Sequence, residues 1–338
     1  MTLTTIGTMS QFFITQRQNV EIRDRLNTLN EELSTGRASD LARHLGGDAG
    51  RLGQIDRRLG LIGSFSASGS RLAQMTATMQ TGLDRIETSR SALSEELLRV
   101  TEASGPSQRE TAVNSARAGF EEMVGTLNMR IGGEALFAGA DAAGTALADA
   151  DAMLDDLRAA IAGAAPATAT DFRAVVETWF DDPAGGFATM GYTGDTGTAP
   201  ERPIDSGTRI TLDIRADATE IRDLLKATAL AALAADPAAT LSTEDRNAVL
   251  TEAGLELAAG AQGFAGLRGR LGATEARIET AMVRLEAEAT ALGQIRNDLV
   301  LKDPFETATA LEQTRLQLET HYTVTARLAQ LSFTEYLR

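Results

Sequence analysis

Carboxylates are the reactive groups that this chain gathers most densely. Asp149, Asp151, Asp155 and Asp156 fall within one short stretch, and Glu286 and Glu288 lie two apart. Such pairs could do general acid–base work. Neither cluster has the aromatics and histidines expected around a carbohydrate or metal site. Both read instead as acidic helix starts and solvated faces, where the helix dipole and water favour negative charge. His44 and His321 are the only two histidines, one beside a glycine-rich stretch and one in a C-terminal helix, so no Ser/His/Asp relay can be assembled from them. The absence of cysteine removes thiolate catalysis, iron–sulfur clusters, cysteine zinc sites and disulfides. Lys226 and Lys302 are the only lysines and neither follows a glycine, which excludes a phosphate loop. Gly185, Gly186, Gly191, Gly194 and Gly197 have turn spacing rather than that of a dinucleotide fingerprint. The chain is therefore expected to be no enzyme, with no catalytic, cofactor-binding or metal residue and no cofactor.

With 32 basic against 47 acidic residues the net charge is −15, which argues against a nucleic-acid partner. No apolar run is long enough to span a bilayer, so no membrane insertion is expected. Residues 1–16 carry no side-chain charge and so lack the basic start of a cleaved signal peptide.

The elements that could position a function are long helices. Residues 1–105 and 238–303 contain no proline, and eleven Phe, three Tyr and one Trp in 338 residues favour thin bundles over one thick core. Ile22, Leu26, Leu29 and Leu33 step by the alternating spacing of a packed helix seam, and Leu52, Ile55, Leu59 and Ile62 repeat it after a glycine-rich loop at 46–50. Leu72, Met79, Ile86, Leu93 and Val100 recur at seven, as do Val113, Phe120 and Leu127, and then Leu271, Ile278, Leu285, Leu292 and Leu299. Pro106 breaks one helix and Ser107 with Glu110 offers a capping box for the next. Asp303-Pro304-Phe305-Glu306 is a second strong helix start.

The middle, about 132–241, is rich in Gly, Pro, Asp and Thr. Thr208–Arg215 alternates as a half-buried strand that could pair with Phe187–Thr193. Short helices are expected over 149–162, 170–181 and 217–234, the last opened by Asp217. The expected fold is mainly α, an antiparallel long-helix bundle formed by the N- and C-terminal flanks with a small mixed α/β insertion at its distal end. Its expected parts are 1–40 with 303–338 as a terminal coiled-coil assembly domain, 41–135 with 242–302 as a long-helix bundle, and 136–241 as the insertion.

Both extremes of the sequence are apolar and nearly uncharged, which points to burial against other copies of the chain. The expected assembly interface comprises Ile6, Met9, Phe12, Phe13, Ile22, Leu26, Leu29 and Leu33, facing Leu311, Leu318, Val324, Leu328, Leu331, Phe333, Tyr336 and Leu337.

Leu33-Ser34-Thr35-Gly36-Arg37, a long heptad helix and the closing Ala326–Arg338 stretch resemble the flagellin superfamily over the two helical flanks. Ala135-Leu136-Phe137-Ala138-Gly139 and the ending QLSFTEYLR are similar to its hook-filament junction branch, the hook-associated protein 3 type. That resemblance implies a structural flagellar subunit, exported by the flagellar type III apparatus without a cleaved signal and located outside the cell at the hook-filament junction. It implies as partners other copies of the chain, a neighbouring hook-associated protein, flagellin and an export chaperone. Filament flagellin is the alternative, and a non-flagellar coiled-coil scaffold or secreted effector is a second.

Overall fold

The computed structural model describes the backbone of residues 3–101 and 103–336, and the side chains of residues 10, 13–101 and 103–327. Nine α-helices lie among the described residues: α1 Leu3–Thr35, α2 Leu41–Leu45, α3 Ala49–Leu98, α4 Pro106–Leu127, α5 Ala150–Ala164, α6 Ala169–Asp181, α7 Thr219–Ala232, α8 Thr243–Val300 and α9 Pro304–Tyr336. Long helices packed on one another dominate, with only two small antiparallel sheets among the described residues, so the fold is mainly α as expected. The length of α3 and α8 follows from proline-free sequence rich in Ala, Leu, Glu and Arg, the residues that lose least on entering a helix.

The chain divides into two compact units, residues 1–62 with 286–338, and residues 63–285. In the second, α3 and α8 run antiparallel. Ser94 Oγ donates to the Gly254 carbonyl at 2.8 Å, Arg90 Nη1 to Leu257 at 2.8 Å, and Gln80 Nε2 to Arg268 at 3.1 Å. The seven-spaced Leu72, Met79, Ile86, Leu93 and Val100 are all buried, as are Leu271, Ile278 and Leu285 opposite. Helices α4 to α7 thicken this pair into one core holding Phe120, Phe137, Phe172, Phe180 and Phe187.

Two glycines at positive φ, Gly132 and Gly133, turn β1 (Arg130–Ile131) back onto β2 (Glu134–Ala135), a tight hairpin that needs left-handed backbone at both central positions. The Ala135–Gly139 run follows. Its Phe137 is fully buried, and its backbone is held by Ala216 N–H to Phe137 O at 2.9 Å and Asp195 N–H to Ala138 O at 2.9 Å.

Some local expectations are corrected. Phe187–Gly191 forms a π-helical turn rather than a strand, because Phe187 stacks inward on Phe180 with ring centroids 5.5 Å apart. Of the stretch 208–215, only β4 (Arg209–Ile210) is strand, and it pairs with β3 (Arg202–Pro203). Between them, Asp205 Oδ1 accepts from the backbone N–H groups of Gly207 and Thr208, both at 2.6 Å, and this fixes the turn. Helix α4 starts at Pro106 behind Gly105 with no side-chain cap, so Ser107 and Glu110 form no capping box. Asp217 pairs with Arg215 instead of capping α7. The glycine-rich stretch at 46–50 is a 3-10 turn, Gly46–Asp48, running directly into α3.

Candidate assembly surface

In the unit formed by residues 1–62 and 286–338, α1 packs on α9. The two run antiparallel, since Gly36 O accepts from Lys302 N–H at 3.0 Å while Arg23, earlier in the chain, meets Tyr322, which comes later. Their connections are clasped. Gly36, at φ +67°, ends α1 in the left-handed conformation that glycine tolerates. Arg37 then bridges Leu301, and Ala38 N–H donates to Val300 O at 3.0 Å. The buried Glu32 carboxylate holds the far side of the turn, accepting from Ser39 N–H at 3.0 Å and Ser39 Oγ at 3.2 Å. Asp303 Oδ1 caps α9 through Phe305 N–H at 2.8 Å and Glu306 N–H at 3.3 Å, as its sequence predicts. The Leu33–Arg37 motif is thus a helix stop built to pair with the stop of α8.

Register along α1 and α9 is fixed by Arg23, whose Nη2 donates to Tyr322 Oη at 2.5 Å and whose guanidinium lies 5.8 Å from the ring centre. This bond stabilises the phenolate and lowers the Tyr322 pKa. In the same unit Arg58 grips Glu288 with two bonds, 2.6 and 2.8 Å, holding that carboxyl below its ordinary range.

Leu311 is buried, whereas Ile22, Leu26, Leu29 and Leu318 are only half-buried. Leu33 is exposed, as are Phe13 (62 %) and Val324 (50 %). Ile6, Met9, Phe12, Leu328, Leu331, Phe333, Tyr336 and Leu337 lie outside the residues whose side chains are described. Sequence spacing alone did not single out Val20, Leu301, Leu316 and Phe305, which are also exposed, Phe305 at 82 %. They sit off the heptad seam, and only their apolar character on an otherwise polar face marks them. Twelve of the fifteen large exposed apolar side chains among the described residues belong to this one unit. Between α1 and α9 a groove of about 730 Å³ is lined by Ile22, Leu316 and Val324 with Gln18, Glu21, Arg25 and His321 along it.

The carboxylate clusters are engaged locally. Asp149 caps α5, Asp155 pairs with Arg158, and Asp156 accepts from Trp179 Nε1 at 2.7 Å. Glu286 and His44 are exposed. Among the described residues no group of three or more His, Asp or Glu could hold a metal ion, and no helix is long and apolar enough to cross a membrane.

Residues 261–337 match the family profile described as the bacterial flagellin C-terminal helical region. Over that stretch the chain is similar to flagellins. Among solved structures it is similar to a Vibrio parahaemolyticus protein described as a candidate flagellar hook-associated protein. That likeness has a TM-score of 0.53 at 12 % identity, covering 73 % of this chain and 95 % of the other. At such identity the likeness is one of fold. No curated protein matches the chain significantly. The flagellin-like stretch takes in all of α9 and the last two thirds of α8 that lead into it, so the profile covers the C-terminal side of the clasp and the face that carries Leu316 and Val324.

Proposed function

We propose that this chain is a structural subunit of the bacterial flagellum, and that it works at the junction between hook and filament. The observation that carries the reading is the concentration of uncovered apolar side chains on the unit that contains most of the flagellin-like stretch. Its function is then mechanical. A contact surface whose symmetry operation does not close generates a helical tube. Completing the burial of one Leu or Phe contributes on the order of 1.5–3 kcal/mol, so several per subunit, repeated around a ring, would outweigh the ordering of the segments involved.

In this reading, residues 1–40 with 303–338 form the assembly layer, 41–135 with 242–302 the bundle that carries it, and 136–241 an insertion. The partners are other copies of the chain, a hook-associated protein on one side and flagellin on the other, with a chaperone for export through the type III apparatus. Filament flagellin is the second reading, favoured by the profile match. The Ala135–Gly139 segment and the fold of the hook-associated neighbour favour the junction.

Immunogold labelling of intact flagella with antibody to this chain separates the two. A single band where the hook ends is the expected result. Label along the filament would move the assignment to flagellin, and flagella free of label, on a deletion strain that still swims, would end both readings.

A further inference from the structure

Beneath the hairpin of β3 and β4 lies a second apolar cluster, set apart from the main core. It consists of Leu72 on α3, Ile278 and Ala281 on α8, and Ile204 and Ile210 on the hairpin, all buried. Two pairs of residues make the whole ladder, Arg202 with Ile210 and Pro203 with Arg209. Outside this apolar cluster the hairpin is attached by side-chain bonds, one of them from Arg202 Nη1 to Met75 Sδ on α3 at 3.1 Å. Ser68 Oγ donates to Pro203 O at 3.0 Å, Arg202 reaches Glu134 at 3.2 Å, and Arg284 pairs with Asp205 at 3.3 Å. The segment therefore lies across both long helices, fastened at its two ends and by two isoleucines.

We propose that residues 202–210 form a releasable strap, which lifts as a unit while the main core stays folded and so uncovers an apolar strip on α3 and α8. Three features support independent opening. Local opening is easiest where few apolar contacts and a short ladder hold a segment, and this cluster has five buried residues against the dozens of the main core. The bonds at its ends are half-exposed ion pairs and single hydrogen bonds, each of modest net strength. The turn between the strands is held by Ile204 N–H to Thr208 O and by one side chain, Asp205, which accepts from Gly207 and Thr208 and faces Arg284 of α8. A hollow of about 350 Å³, lined by Ala73, Thr76, Ile278 and Met282 with Glu275 and Glu279, belongs to the same α3–α8 strip. Lifting the strap would extend this hollow along both helices.

The native chain has no cysteine, so single introduced thiols report without background. Ala281→Cys lies under the strap and Ala253→Cys lies on the same helix in the main core, both positions buried. Thiol labelling of the folded full-length variants should be at least about tenfold faster at 281, with a shallower dependence on urea, since opening the strap exposes little surface. Adding Asp205→Ala should speed labelling at 281 by a further severalfold and leave 253 unchanged. Equal rates and equal urea slopes at the two positions would overturn the proposal. So would fast labelling at 281 that ignores Asp205→Ala, because the helix rather than the strap would then be opening. Circular dichroism and the Trp179 emission of each variant verify that the core is intact, and should either thiol variant fail that check, amide exchange of Ile204 in the unmodified chain replaces the labelling. Its N–H donates to Thr208 O at 3.1 Å and should exchange with a shallower urea dependence than the amides of α7, an equal dependence again overturning the proposal.

Discussion

Gly139 closes the Ala135–Gly139 segment, and its replacement by alanine tests why that segment is built as it is. The residue has φ +68° and bridges Asp195 in a parallel pairing. A Cβ there would press into the Asp195 carbonyl group, with the carbonyl carbon at 3.3 Å and Arg215 Cδ at 3.0 Å. Two costs follow. Left-handed backbone costs an L-residue roughly 1–2 kcal/mol. Relieving the clash means moving the backbone at Asp195, which loses the Asp195 N–H bond to Ala138 O, about 0.5–1.5 kcal/mol net. Gly139→Ala should therefore destabilise residues 63–285 by about 1.5–3.5 kcal/mol.

Two other glycines supply the controls. Gly133 has φ +85° with open space around its Cβ position, so Gly133→Ala carries the backbone cost alone, about 1–2 kcal/mol. Gly125 lies within α4 with nothing near it, and Gly125→Ala should stabilise by about 0.5–1 kcal/mol. Trp179 is the only tryptophan and packs against Phe180 with centroids 4.7 Å apart, so its emission follows this unit. With a urea slope of roughly 1–3 kcal/mol per molar, the Gly139→Ala midpoint should fall by about 1–2 M and lie below that of Gly133→Ala. A Gly139→Ala midpoint equal to or above that of Gly133→Ala would refute the reasoning, since the clash would then carry no weight.

Leu311→Ala should cost about 2–3 kcal/mol in thermal unfolding followed by helical circular dichroism, while Leu316→Ala, at 65 % exposure, should change it by less than about 0.5 kcal/mol. Arg90→Met removes the bond to the Leu257 carbonyl and the pair with Glu87, and should lower the urea midpoint by the equivalent of about 1.5–3 kcal/mol. Burial first, partly offset by Arg173, raises the Glu256 carboxyl above its ordinary range. Its contribution is thus fully present below the ordinary glutamate pKa and is lost as pH rises through the raised value, so Glu256→Gln should flatten that loss without lowering stability at neutral pH. The Ser242 hydroxyl and then Ala169 N–H lower the Asp245 pKa, so its contribution is present above the ordinary aspartate pKa and lost as pH falls through the depressed one. Asp245→Asn should remove that acid limb from the urea midpoint measured against pH.

The long helices were legible because repetition at seven is redundant. One misread residue among Leu72, Met79, Ile86, Leu93 and Val100 would not have hidden the row. Asp303 was legible for a different reason, since a cap acts within its own turn and needs no distant partner. The hairpin was not, because Ile210, Leu212 and Ile214 alternate like a strand while tertiary packing leaves only Arg209–Ile210 in a ladder. Nor could Phe187 be placed, as its fate depends on Phe180 and Trp179 arriving from another helix. Glu32 reads as an exposed helical acid and is instead the buried acceptor of the Ser39 turn, a role visible only once α1 has stopped at Gly36.

The candidate surface was half legible, and the reason lies in a comparison within one helix. Leu271, Ile278, Leu285, Leu292 and Leu299 carry one unbroken repeat, yet the first three are buried and the last two half-buried. The letters are the same, so what differs is the supply of neighbours. Residues 63–285 surround their long pair with four further helices, whereas the other unit offers mainly α1 and α9 in addition to parts of α3 and α8. A helix pair buries one stripe from each member and leaves the opposite stripes to solvent. Polar side chains would suffice on the uncovered surface, yet Val20, Leu316, Val324 and Phe305 are exposed in this unit, Leu316 and Val324 along the groove between α1 and α9. Replacing Leu316 and Phe305 together by Glu should therefore leave the helix content of the purified chain unchanged while removing its incorporation into flagella. Incorporation at the normal level would mean that these side chains face solvent in the assembled state too, and the surface would lose its function.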